Sequence, residues 1–331
     1  MSTWRITNDV SSPTPDGWRA LPRPAVTQLY GPNQYQASDT LIEAINTAIL
    51  LGQPLLLTGE PGSGKTEVGN FVAWKLGLDS ALRFDVKSTT TARDLFYIPD
   101  TIARFHAAQD PKADIDPIKF IKFQALGLAI LYANEPTQVK SVLKEHPGKR
   151  RSVVLIDEID KAPLDVPNDL LMEIENMQFY IPELTRTIEA NKDMRPIVIM
   201  TSNSERVLPA PFLRRCIYYD LPFPDLKEMI RIAEARISDL PKGSDLIDDA
   251  IGIFYYLRSI ELQKKPGTAE LLSFVLALRD RGYGSSQALR SEDDWQEIAK
   301  FTLLKSAEDQ ERAFARFKWQ IVDSYKMGRG S

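Results

Sequence analysis

Eight consecutive residues, Gly59-Glu60-Pro61-Gly62-Ser63-Gly64-Lys65-Thr66, leave little freedom to the chain around them. They fit G-x-x-x-x-G-K-[ST], the loop that cradles phosphate groups. Before them runs Pro54-Leu55-Leu56-Leu57-Thr58, a short apolar stretch suited to a buried strand. After them Val68, Phe71, Val72 and Leu76 recur at helical spacing, and Gly77 suits a helix C-terminus. The loop therefore joins a strand to a helix, the setting a triphosphate requires. Its glycines permit backbone angles closed to other residues. The freed N–H groups then face phosphate oxygens at the positive end of the helix dipole. Lys65 reaches the β and γ phosphates, and the Thr66 hydroxyl is a candidate Mg²⁺ ligand. Glu67 follows directly and completes the candidate ATP-contacting set. The alternative is a glycine-rich turn with a chance lysine, and the flanking strand and helix argue against it.

A second apolar run, Ser152-Val153-Val154-Leu155-Ile156, ends in Asp157-Glu158. Such a run suits a buried parallel strand, and ligands of α/β sheets sit at strand carboxyl ends. Asp157 there can hold Mg²⁺ through its water shell, and Glu158 can orient or deprotonate an attacking water. In isolation the pair reads equally as a solvated strand end. A third run, Pro196-Ile197-Val198-Ile199-Met200-Thr201, ends at Ser202-Asn203. Asn203 would emerge at the same edge and help position the water, or simply start a turn.

Together these pieces resemble an AAA+ ATPase. Gly59–Thr66 is similar to Walker A, Leu155–Glu158 to Walker B, and Thr201–Asn203 to sensor 1. The wording Leu155-Ile156-Asp157-Glu158-Ile159-Asp160-Lys161-Ala162-Pro163 resembles the MoxR branch. So do Thr201-Ser202-Asn203-Ser204-Glu205-Arg206 and Phe212-Leu213-Arg214-Arg215-Cys216. The resemblance covers about residues 35–280. It implies an α/β core with a parallel five-stranded sheet flanked by helices, followed by an all-α lid. MoxR-like proteins are similar to the magnesium chelatase ATPase subunit, which implies an insert within Thr90–Gly148 and a hairpin before sensor 1. Phe179-Tyr180-Ile181-Pro182-Glu183-Leu184 with Thr185–Ala190 reads as that hairpin, or as a surface loop.

The resemblance also implies a homo-oligomeric ring, commonly a hexamer, with ATP and Mg²⁺ at subunit interfaces. A von Willebrand A-domain protein is the partner it suggests, with a client protein to be remodelled. Arg215, or its neighbour Arg214, would be the arginine finger acting on the next subunit's nucleotide, a task suited to a planar, permanent cation. Two solvated arginines are the bland alternative. The lid segment Lys264-Lys265-Pro266-Gly267-Thr268-Ala269-Glu270 departs from the family pattern, since Ala269 or Glu270 falls where a sensor 2 arginine is often found. Sensor 2 stays unassigned.

Composition sets outer bounds. The chain of 331 residues is long enough for two domains, and with 43% hydrophobic and 26% charged residues it has an ordinary globular balance. No apolar run is long enough for a bilayer, and no leader is evident after Met1. Cys216 is the single cysteine, which excludes an internal disulfide and fits the cytoplasm; it reads as a packing residue. His106 and His146 show no metal-ligand spacing. A net charge of −4 gives no general pull toward nucleic acid. Lys149-Arg150-Arg151 reads as a solvated strand entry.

Along the chain we expect a proline-rich extended arm over residues 1–34, anchored by Trp4, Trp18 and Tyr30 among others. The nucleotide-binding domain follows at 35–224, with a Ser38-capped helix first, a strand at Ala81–Val86, a helix over Ile118–Tyr132 and another over Val166–Met177. Pro222-Phe223-Pro224 marks the linker. The helical lid and extension, 225–331, hold segments at Leu226–Ile237, Ile247–Leu262, Ala269–Arg281, Asp293–Leu304 and Glu308–Lys326. The reading is an ATP-hydrolysing ring enzyme. A DNA-associated motor and a nucleotide-gated assembly module without turnover are the competing classes. The former would need a DNA-binding module or a basic pore, neither of which this sequence shows clearly, and the latter has no need of Glu158.

Overall fold

The computed structural model describes residues 31–110, 116–237, 239–283, 286–291 and 293–327, with backbone alone at 286–288 and 326–327. The expected N-terminal arm with its tryptophans, and the tail Gly328–Ser331, lie outside these residues. Two compact units are present. One is Tyr35–Asp225, and the other joins Pro32–Gln34 to the chain from Leu226 onward.

The first unit opens with α1 (Asp39–Leu51), β1 (Leu55–Thr58), α2 (Glu67–Lys75) and β2 (Leu82–Asp85). An insert supplies β3 (Tyr97–Pro99), α3 (Thr101–Ala107), β4 (Ile121–Phe123), α4 (Ala125–Tyr132) and α5 (Pro136–Val139). Then come β5 (Val153–Asp157), α6 (Asp165–Asp169), α7 (Leu171–Asn176), β6 (Gln178–Ile181), β7 (Arg186–Glu189), β8 (Ile197–Thr201), α8 (Ala210–Leu213) and β9 (Ile217–Asp220). Five strands form one sheet in the order β2-β5-β8-β1-β9. Every neighbouring pair in it is parallel.

Alternation within the apolar runs covers both faces of this sheet. Leu56, Val154, Ile156, Val198 and Met200 belong to one core cluster, with α4 and the β6–β7 hairpin. Leu55, Leu57, Val153, Leu155, Ile197 and Ile199 belong to the other, with α1 and α2. Successive strand residues point to opposite faces, so a run with helices on both sides must be apolar throughout. Leu56 and Leu57 are fully buried, and each such side chain stabilises the fold by about 1.5–3 kcal/mol.

Local signals set several element ends. Ser38 Oγ accepts the Leu41 N–H at 3.2 Å and caps α1, as its sequence suggests. The hairpin forms as β6 and β7, with Phe179 opposite Ile188. The insert differs from expectation. Ile118–Tyr132 is helical only in α4 and in a 3-10 turn at Pro117–Phe120, because Ile121–Phe123 pairs antiparallel with Tyr97–Pro99. Gln124 N–H then donates to Phe96 O at 2.8 Å, and tertiary pairing overrides helical spacing. The approach is close: a Cβ on Gly127 would stand 2.1 Å from Phe96 O. The helix expected over Val166–Met177 is broken at Leu170 and stops at Met177, where φ is 48°.

The basic run before β5 stays part-exposed, as a strand entry in solvent should, and makes surface contacts. Arg151 donates to Asp193 O at 2.6 Å, Lys149 meets Glu135 at 3.3 Å, and Arg150 pairs with Asp79.

The second unit is helical: α9 (Leu226–Arg236), α10 (Asp245–Ser259), α11 (Thr268–Arg281), α12 (Ser286–Ser291), α13 (Trp295–Leu303), α14 (Ala307–Arg312) and α15 (Trp319–Met327). The run Glu308–Lys326 is thus two helices. Between them Phe314 and Phe317 turn onto the buried Trp295, at centroid distances of 5.4 and 5.1 Å. Asp249, fully buried in α10, is paired with Arg290 at 2.8 Å, and Arg290 reaches Asp323 at 2.6 Å. At the start of α11, Glu270 accepts the Gly267 N–H at 3.2 Å, so this residue caps the helix.

Candidate nucleotide site

Parallel strands send their carboxyl ends to one edge, and the expected residues emerge there. The phosphate loop follows β1, Asp157 ends β5, and Asn203 lies just beyond β8. Within the loop, Gly59, Gly62 and Gly64 have φ of 138°, 80° and 95°. Gly59 has a second reason to be glycine, since a Cβ there would meet Leu221 O at 2.4 Å. Glu60 and Pro61 are exposed, and Glu67 begins α2.

Lys65 is buried, and its ammonium donates to Gly59 O at 2.8 Å and Glu60 O at 2.9 Å. Burial lowers its pKa, opposed by the carboxylates of Asp157, Asp160, Glu158 and Asp220. Thr66 donates to both oxygens of Asp157, at 3.1 and 3.2 Å. That hydroxyl–carboxylate pair is the hard oxygen donor set Mg²⁺ takes. Ser63 Oγ is buried in the loop with no hydrogen-bond partner among the described residues. A polar atom left so is what a cradle built for phosphate would contain, and the residues fit ATP with Mg²⁺.

Glu158 adopts the left-handed conformation at φ 58°, uncommon for a residue with a side chain. Thr201 holds it there: its hydroxyl accepts the Glu158 N–H at 2.9 Å and donates to Asp157 Oδ1 at 2.5 Å. Asn203 Nδ2 donates to Glu158 Oε1 at 3.0 Å, and Lys161 pairs with Oε2. The hydrogen bond to Glu158 raises the Lys161 pKa. Two further contacts tie the Asn203 loop to the turn after Asp157. Asp160, 2% exposed, accepts the Glu205 N–H at 2.9 Å, and Arg206 donates to Ala162 O at 3.4 Å.

Arg214 and Arg215 stand elsewhere. They precede β9, at the amino edge of the sheet and thus opposite the phosphate loop. Arg215 is exposed, meets Glu175 at 3.4 Å, and lines a cavity of about 560 Å³ together with Leu51, Gly52, Arg151 and Arg195. Lys65, Thr66, Asp157, Glu158 and Asn203 are therefore brought together, and the two arginines are not.

Sequence reasoning passed over Arg83, Asp160 and Lys161, and assigned Thr201 no task. Lys161 and Asp160 lie within the Walker B wording and were findable there. Arg83 carried no motif at all.

A phosphate loop, an acidic strand end and a polar third strand end, all at one edge of a parallel sheet, define a P-loop nucleotide-binding domain. Residues 54–216 match the AAA domain family (dynein-related subfamily), and this match supports an AAA+ ATPase. No curated protein matches the chain. Among solved structures, a protein of Cytophaga hutchinsonii described as a "putative ATPase" is 14% identical with a TM-score of 0.39, over 92% of this chain and 91% of that one. Among the described residues no helix is long and apolar enough to cross a membrane.

Proposed function

We propose that the chain hydrolyses ATP as a MoxR-like AAA+ enzyme of the cytoplasm, working in a homo-oligomeric ring, hexameric by resemblance. The observation that carries this reading is the pairing of two couples at one sheet edge, Thr66 with Asp157 and Asn203 with Glu158. Loop N–H groups and Lys65 bind the triphosphate. Thr66 and Asp157 would hold Mg²⁺, which when bound neutralises charge on the transferring phosphate. Glu158 takes the proton of the attacking water through Oε1 or Oε2, and Asn203 orients that carboxylate. Arg215, remote from its own loop, serves the neighbouring subunit's nucleotide. The coupled work is remodelling of a client protein, with a von Willebrand A-domain protein as the partner.

The test is Glu158→Gln. It keeps the side chain's shape and removes the base, so ATP should bind as before while turnover falls roughly a hundredfold to ten-thousandfold. Wild-type turnover in this variant would remove Glu158 from the mechanism. The same variant, loaded with ATP, is the bait for the client. ATP turnover that rises with added DNA and loses that rise with salt would favour the DNA-associated motor instead.

A further inference from the structure

β2 and β5 pair so that Asp85 lies directly opposite Asp157. Like charges directly opposite one another in a sheet repel, and a countercharge is needed to hold them. Arg83 supplies it. It stands two residues before Asp85, hence on the same face of the strand. Its Nε donates to Asp85 Oδ1 at 2.7 Å, and its Nη2 donates to Asp157 Oδ2 at 2.8 Å. The guanidinium thus bridges the two carboxylates. The side chain of Asp157 is 8% exposed, while those of Arg83 and Asp85 are 50% and 65% exposed. One end of the bridge is buried and fixed, and the other is in water.

We propose that Arg83 is a positioning residue that stands in for the metal at Asp157, an inference that rests on reading Asp157 as a metal ligand. Arg83 and Thr66 donate to Oδ2, and Thr201 and Thr66 donate to Oδ1. A divalent cation and Arg83 draw on the same negative charge, so a metal-bound water reaching Oδ2 competes with the guanidinium there. Asp85 is built to receive it, being already bound at Nε and open to solvent. The exchange keeps Asp157 aimed while the site is empty. It also sets how strongly nucleotide affinity depends on divalent metal.

The experiment measures binding of a non-hydrolysable ATP analogue to the full chain, in EDTA and in Mg²⁺. Its readout is the ratio of the two dissociation constants. Arg83→Gln removes the competitor and should raise the metal enhancement roughly five-fold. Asp85→Asn removes the receiving carboxylate, leaves Arg83 on Asp157, and should lower it. Opposite shifts are the expected result. Shifts in the same direction, or an unchanged ratio in Arg83→Gln with binding retained, would overturn the proposal. Melting without nucleotide checks each fold. If Arg83→Gln does not fold, the exposed Asp85→Asn decides alone, and an unchanged or raised ratio there overturns the exchange. Absence of binding by the wild-type chain in both conditions would strike the nucleotide reading itself.

Discussion

The side-chain amide of Asn203 donates to Glu158 Oε1 at 3.0 Å, across a sequence gap of 45 residues. Lys161 takes the other oxygen, so the carboxylate is held at both ends. Asn203→Ala should therefore leave ATP binding largely intact and slow turnover by roughly tenfold or more, since an unaimed base loses alignment with the water. Steady-state kinetics decide it: a rise in KM with unchanged kcat would make Asn203 a binding residue instead.

Lys65→Ala should weaken ATP binding by about 2–5 kcal/mol, the scale of losing one partner in a buried charged contact. In the free chain the same ammonium is held by the Gly59 and Glu60 carbonyls, so it is already aimed. Calorimetry with ATP measures the loss. Affinity equal to wild type would mean that the loop does not hold the phosphates.

Arg215→Ala should spare ATP binding and lower turnover by roughly a thousandfold or more. Its own-chain contact with Glu175 is exposed, and loss of such a pair changes stability by less than about 1 kcal/mol. Mixing Arg215→Ala subunits with Lys65→Ala subunits should restore part of the activity, because some interfaces then join an intact loop to an intact finger. Turnover per subunit should also fall on dilution. No rescue, with turnover flat down to monomer, would leave a self-contained ATPase as the better reading.

Cys216 should be slow toward thiol reagents in the folded chain. Burial pushes its thiol up to about 12, and Sγ lies 3.3 Å from Phe212 O. The thiolate is the reactive form, so at pH 8 the folded chain holds roughly a thousandfold less of it than an ordinary cysteine. A disulfide-exchange reagent should label the native protein far more slowly than the denatured protein, with one thiol counted at completion. Full-rate labelling of native protein would contradict the desolvation of this half-buried thiol.

Much of the nucleotide unit was legible in the sequence because its cues are local. Gly59, Gly62 and Gly64 mark backbone angles, Ser38 marks a helix start, and unbroken apolar runs mark strands buried on both faces. The motif order placed Lys65, Asp157, Glu158 and Asn203 at strand ends, and the parallel sheet brings such ends to one edge. Other features depend on which distant segments meet. The helix expected over Ile118–Tyr132 gave way at Ile121–Phe123 to pairing with Tyr97–Pro99, and the one expected across Glu308–Lys326 gave way to packing on Trp295. The strand order β2-β5-β8 sets Arg83 beside Asp157 and Thr201 beneath Glu158, contacts that no spacing along the chain encodes. Periodicity and turn chemistry act over a few residues and are written in the sequence. Partner choice between strands is settled by the packing of the whole unit, and that is where the charge balance of Asp157 was decided.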